Sequence, residues 1–128
     1  MNLVDSSGWI EYFGEGLNAE FFAPPIQDTG DLVVPTICIF EVFRWVLRYQ
    51  GEPDAAEGAT FMEQGLVVPL DDTVALVAAR LSIETGLATA DSIILATARA
   101  HDATLWTQDA HFKDVEGVKY IEKRKKKV

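Results

Sequence analysis

Four acidic residues stand where predicted secondary-structure elements meet, and together they could bind a divalent metal ion. Asp5 ends a short apolar segment, and Asp109 follows another apolar segment by two residues. Glu41 and Asp91 lie in the first turns of two predicted helices. Two full charges about 4 Å apart repel by roughly 4 kcal/mol at an effective dielectric near 20, so clustered carboxylates need a counter-charge. A divalent cation is the natural one.

The types of these side chains indicate which cation and which reaction. Oxygen ligands in a chain with one cysteine and two histidines favour hard ions, Mg²⁺ or Mn²⁺, which keep several bound waters. Such a site can activate a water molecule and neutralise the charge of a phosphoryl transition state. Hydrolysis of a phosphodiester bond is the reaction class that follows.

Each acid taken singly has a simpler interpretation. An aspartate at the position of Asp91 complements a helix dipole, and Glu41 could pair with Arg44 three residues later. Asp109 fits a turn or a helix cap. Asp5 is the exception, because a charge at the end of a buried strand is expensive. The metal-site prediction therefore depends on the four positions together.

The elements that position these acids alternate along the chain. Short apolar runs predict five strands, and longer segments of helical character separate them. The strands are predicted at 3–4, 32–35, 66–70, 104–107 and 118–121, and the helices at 18–28, 36–50, 53–64, 72–85 and 89–101. This alternation predicts a mainly parallel sheet covered on both faces. Ligands bind beyond the carboxyl ends of such strands, and all four acids fall at that edge.

The length and composition fit one domain. The chain has 128 residues, of which 48% are hydrophobic and 24% charged, so it can bury one core. We predict a domain over residues 1–122 and a basic tail over 123–128. Cys38, the only cysteine, is expected to be a buried apolar residue. No apolar run has the length of a membrane span, and the N-terminus lacks signal-peptide features, which predicts a cytoplasmic protein.

The charge is divided unevenly between the body and the tail. Residues 1–122 hold six basic and twenty acidic side chains, a formal charge of −14, whereas residues 123–127 are all basic. Such a run is either a solvated segment or a contact for nucleic acid or another acidic surface.

Other candidate residues have structural interpretations. Gly-rich phosphate loops, nucleophile elbows and metal-spaced histidine pairs do not occur in the sequence. We interpret His101 as a helix cap and His111 as structural, and we expect the tryptophans to lie in the core. The helix at 36–50 is apolar nearly all round, which indicates either a contact with another chain or deep insertion into the core.

Four segments of the sequence resemble the PIN-domain endoribonucleases, and within them the small single-domain toxins of VapBC toxin–antitoxin modules. The resemblance covers the chain up to the basic tail. It is carried by Leu3–Ser7, Glu41 after Pro35 and Thr36, Thr89–Ala98, and Leu105–Phe112.

The resemblance implies a three-layer α/β/α fold with a five-stranded parallel sheet and an acidic pocket. Asp5 and Asp91 would be the main metal-contacting residues, with Glu41 and Asp109 orienting waters or a second ion. Ser6 and Thr107 match hydroxyl positions that support the pocket in the family. The resemblance also implies Mg²⁺- or Mn²⁺-dependent cleavage of single-stranded or looped RNA (tRNA, rRNA or mRNA), a homodimer, and inhibition by an antitoxin.

The acidic body departs from what an RNA-binding enzyme usually shows, because affinity for RNA comes largely from neutralising phosphates. Contact with RNA would then fall to Arg44, Arg48, Arg99 and the run Lys123–Lys127, or to a dimer groove that combines them. Such a limited set favours a narrow, structured target, and single-stranded loops are where RNA sequence is most readable.

Three other functions stay open at this stage. The chain could be a non-catalytic module that binds a protein, although four uncompensated acids argue against this. It could be a housekeeping PIN nuclease without a toxin role. A phosphoacceptor receiver domain would need paired acids near the first strand and a lysine after a late strand, whereas Asp5 stands alone and Lys113 follows a turn.

Overall fold

A single five-stranded parallel sheet forms the centre of the molecule. The computed structural model describes residues 1–125, so residues 126–128 of the predicted basic tail lie outside it. The strands are β1 (Asn2–Val4), β2 (Leu32–Pro35), β3 (Leu66–Val68), β4 (Thr104–Thr107) and β5 (Val118–Tyr120). Their spatial order is β3-β2-β1-β4-β5, and every neighbouring pair is parallel.

Six helices connect these strands. They are α1 (Ser6–Phe13), α2 (Ala19–Gln27), α3 (Thr36–Gln50), α4 (Glu52–Met62), α5 (Asp72–Thr85) and α6 (Thr89–Ala100). The connections from β1 through β2 to β3 run in one direction along the sheet, and the connection from β3 to β4 runs back. This reversal places α1–α4 on one face and α5 and α6 on the other. The predicted α/β/α fold is confirmed.

The helix predictions are confirmed except for α1, which the sequence analysis missed. Gly8 in its first turn argues against a helix on propensity. The structure gives the reason for this glycine, because a Cβ there would lie 2.6 Å from both the Phe22 ring and the Val4 side chain. Helix α1 can approach β1 and α2 this closely only with a glycine. At the end of α5, Gly86 has φ +75°, as the predicted glycine stop requires.

The core lies on both faces of the three central strands. Leu3, Val33 and Leu105 are fully buried, and so is Trp9 of α1. Cys38 is buried as expected, and its burial raises the pKa of the thiol. Trp45 and Trp106 also pack against this core, and they are partly buried. Among residues 1–125, no single helix is long and apolar enough to cross a membrane.

Helix α3 reaches both the core and the surface. Cys38, Val42 and Val46 form its buried stripe at a spacing of four residues. Phe40 and Tyr49 remain 62% and 64% exposed. Deep insertion therefore accounts for only part of the apolar surface that the sequence pattern predicts.

Candidate metal centre

The four predicted acids converge at the carboxyl edge of the sheet. Asp5 follows β1 and Asp109 follows β4, which pair in register through Val4 and Trp106. The charge of Asp109 raises the pKa of both Asp5 and Asp91, and the charge of Glu41 also raises that of Asp91. Each of the four carboxylates is therefore close enough to at least one of the others to be repelled by it.

Asp5 is fixed in place by three hydrogen bonds. Its Oδ1 accepts from the Ser7 hydroxyl at 2.7 Å and from the Gly8 backbone N–H at 3.0 Å, and its Oδ2 accepts from the Thr107 hydroxyl at 2.6 Å. The bond to Gly8 makes Asp5 the N-cap of α1. Thr107 Oγ1 in turn accepts from the Asp109 backbone N–H at 2.9 Å, which links the two acids through one hydroxyl.

Burial dominates the titration of Asp5. The residue is 3% exposed, and desolvation raises its pKa to about 6 even though the bonds from Thr107, Ser7 and Gly8 favour the charged form. Asp91 is less buried, and desolvation is again the largest cause that raises its pKa. Both residues would gain stability as carboxylates from a nearby positive charge.

Glu41 receives a hydrogen bond from α1 instead of an ion pair within α3. The Ser6 hydroxyl donates to Glu41 Oε1 at 2.7 Å. Among the described residues, Glu41 and Arg44 form no ion pair, so the simpler interpretation of Glu41 is wrong. The two hydroxyls singled out by sequence, Ser6 and Thr107, thus each bond to one of the acids.

A histidine joins two of the acids in a compact group. Ligand atoms of Asp91, Asp109 and His111 all lie within 4.8 Å of one another. His111 Nδ1 lies 2.9 Å from Asp109 Oδ1, which also accepts from the His111 backbone N–H at 2.9 Å. The Asp109 carboxylate thereby caps the short 3₁₀ helix Ala110–Phe112.

The sequence analysis treated His111 as structural, and the structure places it at the acidic edge. Its ring is exposed, with 77% of the side chain accessible, so it does not pack in the core. The sequence signal was limited to the cap, in which an aspartate accepts a hydrogen bond from the backbone N–H two residues later. His101, in contrast, bonds through Nδ1 to the Thr97 carbonyl at the end of α6, as predicted for a cap.

The donor set fits a hard divalent cation. Asp91 and Asp109 offer carboxylate oxygens, and such ions take one or two carboxylates and complete their shell with water. His111 can serve such an ion as a nitrogen ligand or by orienting the Asp109 carboxylate. Asp5 and Glu41 lie outside the three-residue group. The Asp5 carboxylate has about four acceptor positions and uses three of them.

A groove of about 310 Å³ lies beside the acids, between α1 and α3. Glu41 and Ser6 lie in its lining, together with the predicted RNA contacts Arg44 and Arg48 and with aromatic side chains. Arg99 lies elsewhere, because it is in the last turn of α6 whereas Asp91 is in the first. Eight residues of helix separate the two by about 12 Å. The structure therefore does not bring Arg99 to this edge.

The sequence also matches a known family over most of its length. The family model of the PIN domain matches residues 3–118. The chain belongs to the PIN-domain family. No curated protein sequence matches this PIN domain closely enough to count as a relative.

Solved structures with similar folds include toxins and toxin–antitoxin complexes. A toxin–antitoxin complex from Klebsiella pneumoniae superposes with a TM-score of 0.78 at 23% identity, covering 92% of this PIN domain and 95% of that chain. VapC20 from Mycobacterium tuberculosis, a toxin that cleaves the sarcin–ricin loop, gives 0.75 at 13% identity, covering 91% and 95%. VapBC2 from Rickettsia felis, bound to a promoter DNA fragment, gives 0.72 at 13% identity, covering 96% and 98%.

Proposed function

We propose that this PIN domain is a Mg²⁺- or Mn²⁺-dependent endoribonuclease and the toxin of a type II toxin–antitoxin module, acting in the cytoplasm. The observation that carries the proposal is the convergence of Asp5, Glu41, Asp91 and Asp109 at one edge of the sheet, with Asp109 raising the pKa of two of the others. The sarcin–ricin loop activity stated for VapC20 supports RNA as the substrate class.

The described side chains divide the work of hydrolysis. Asp91 and Asp109 would hold the cation. When bound, the cation would supply an activated water and stabilise the negative charge on the phosphate in the transition state. Asp5, fixed by Thr107, would offer the remaining acceptor position of its carboxylate to the same cation. Glu41, held by Ser6, can orient a water molecule as an acceptor. Because Asp5 and Glu41 are held by hydrogen bonds from α1 and β4, these two acids need little rearrangement during the reaction.

An antitoxin would act on this site from the groove between α1 and α3. Phe40 and Tyr49 offer exposed apolar surface there, and Arg44 and Arg48 offer positive charge beside Glu41. A peptide segment with apolar and acidic side chains is complementary to this lining. The toxin–antitoxin complexes among the similar structures support such a partner.

The test of the function is cleavage of single-stranded or looped RNA by the purified chain. Cleavage should require Mg²⁺ or Mn²⁺, stop in EDTA, return when the metal is restored, and stop again when a stoichiometric antitoxin is added. Cleavage that persists in EDTA would contradict the metal mechanism. An intact RNA pool in either metal, with a chain that still binds antitoxin, would favour the non-catalytic binding module.

We also propose that the protein is a homodimer, with the outward face of α3 in the interface. Leu47 is 39% exposed on α3 and does not line the groove assigned to the antitoxin, so it is free to contact a second copy of the chain. Sedimentation at micromolar concentration should give twice the mass of a single chain, and Leu47→Glu should give the single chain. The matched variant Leu76→Glu changes an exposed leucine on α5 in the same way, and it should stay dimeric. Dissociation by Leu76→Glu alone would contradict an interface on α3.

A further inference from the structure

The basic run near the C-terminus begins at the edge of the sheet that carries the acids. Strand β5 is parallel to β4, with Tyr120 opposite Thr107. The Ile121 backbone N–H still donates to the Thr107 carbonyl at 3.0 Å. The chain therefore leaves the sheet beyond Thr107, whose hydroxyl holds Asp5, and the basic run begins after Glu122.

A buried asparagine fixes the chain where it leaves the sheet. Asn18, between α1 and α2, is 1% exposed. Its Nδ2 donates to the Glu122 carbonyl and to Gln108 Oε1, each at 3.0 Å. Its Oδ1 accepts from Arg124 Nε at 2.8 Å, and a second Arg124 nitrogen donates to the Leu17 carbonyl. Every polar atom of the Asn18 amide is thus used to hold this segment.

Asn18, which holds this segment, is connected to the acidic edge through Gln108. Gln108 lies between Thr107 and Asp109, is 6% exposed, and also contacts the Ser7 carbonyl at 3.5 Å. The Asn18 side chain therefore links Arg124 to Gln108, which lies between Thr107 and Asp109 of the acidic edge. The segment at 123–125 is positioned by the same contacts that position the site.

The positive charge of this segment is left available. Both acceptors of Arg124 are neutral, an amide oxygen and a backbone carbonyl, so they fix the guanidinium without cancelling its charge. Two of its five N–H donors suffice for these bonds. The side chains of Lys123 and Lys125 are exposed, and within residues 1–125 neither they nor Arg124 take part in an ion pair.

We propose that Lys123, Arg124 and Lys125 form a phosphate-binding segment that holds single-stranded RNA beside the bond to be cut. This rests on the proposed nuclease function. A body with a formal charge of −14 repels RNA, and binding of RNA gains most of its free energy by neutralising phosphates. Fixed positive charge at the acidic edge holds the phosphates that flank the scissile one, and Arg124 is a positioning residue because its bonds to Asn18 and Leu17 fix the segment.

The phosphate contacts are tested by the salt dependence of RNA binding. Affinity for a fluorescent single-stranded oligoribonucleotide is measured in EDTA between about 50 and 200 mM salt. The double variant Lys123→Gln with Lys125→Gln should reduce the slope of log affinity against log salt by about 1.4, or roughly 0.7 for each lost phosphate contact. The control Arg80→Gln, an exposed charge on α5, should leave the slope unchanged. An unchanged slope in the double variant would overturn the proposal.

The anchoring role is tested by Arg124→Lys, which keeps the charge and loses the forked hydrogen bonds. Cleavage in Mn²⁺ should show a KM several-fold higher with the same kcat, because the reacting groups are untouched. Wild-type KM together with a wild-type salt slope would overturn the anchoring. Binding in EDTA does not depend on catalysis, so a chain that shows the expected slopes but cuts no RNA would contradict the nuclease function and retain the RNA-binding segment.

Discussion

Replacing Asp91 by asparagine should reduce RNA cleavage by about 10²–10³-fold, with the fold unchanged. The substitution removes one of the two carboxylates in the group with His111 and so weakens the hold on the cation that stabilises the transition state. Loss of one preorganised electrostatic contact typically costs this factor, or about 3–4 kcal/mol of activation free energy. The measurement is the single-turnover rate at one fixed Mn²⁺ concentration, just sufficient to saturate the wild type, with thermal melting as the check on folding.

The matched control for Asp91→Asn is Asp72→Asn. Both aspartates lie in the first turn of a helix, α6 for Asp91 and α5 for Asp72, so both substitutions remove the same favourable interaction with a helix dipole. Asp91 lies in the acidic group with Asp109 and His111, and Asp72 does not. Equal loss of activity in the two variants would reduce Asp91 to a helix-capping role and contradict the metal centre.

The sequence was sufficient for the sheet and for the edge at which the acids meet. Apolar runs that alternate with helical segments specify a parallel sheet, and a parallel sheet brings residues after β1 and β4 to one side regardless of detail. Helix α1 was not predictable in this way, because Gly8 lowers helix propensity and is explained only by its contact with Phe22. The local sequence pattern carries no information on how closely two elements that are distant in the chain will pack.

The site shows the same division between local and distant information. Asp5 was identifiable because a charge at the end of a buried strand needs a reason. His111 was not, since its role depends on the distance from Asp109 to Asp91, which are far apart in sequence. The charge of Arg99 could be counted from the sequence, whereas its position at the far end of α6 from Asp91 could be read only from the structure. The hydrogen bonds that hold Arg124 against Asn18 likewise join residues 106 positions apart.

The buried charge of Asp5 should also lower the free energy of unfolding of the metal-free protein at neutral pH. The pKa of Asp5 is 3.8 in the unfolded chain and about 6 in the folded one, so between pH 4 and 6 the folded state binds more protons than the unfolded state. The free energy of unfolding therefore falls as pH rises through this window, by at most about 3 kcal/mol. Below pH 4 both states are protonated and the penalty vanishes.

Asp5→Asn should consequently raise the stability of the protein in EDTA at pH 7. We expect a gain of about 1–2 kcal/mol, because asparagine carries no buried charge but pairs less well with the Thr107 hydroxyl. The gain should disappear by about pH 4. The control Asp71→Asn, which replaces the N-cap of α5 with an equally good cap at an exposed position, should change little at either pH. Chemical denaturation at both pH values measures the difference.

Metal should reverse this order of stability. A cation that binds only the folded state adds about 2.7 kcal/mol at a concentration one hundred times its dissociation constant, so millimolar Mn²⁺ should raise the melting temperature of the wild type and of Asp71→Asn by several degrees. Asp5→Asn should gain much less and become the least stable of the three. A variant that melts below the wild type in EDTA at pH 7, or that gains as much from Mn²⁺, would show that the Asp5 charge is compensated within the protein. The buried charge would then have no need of an ion.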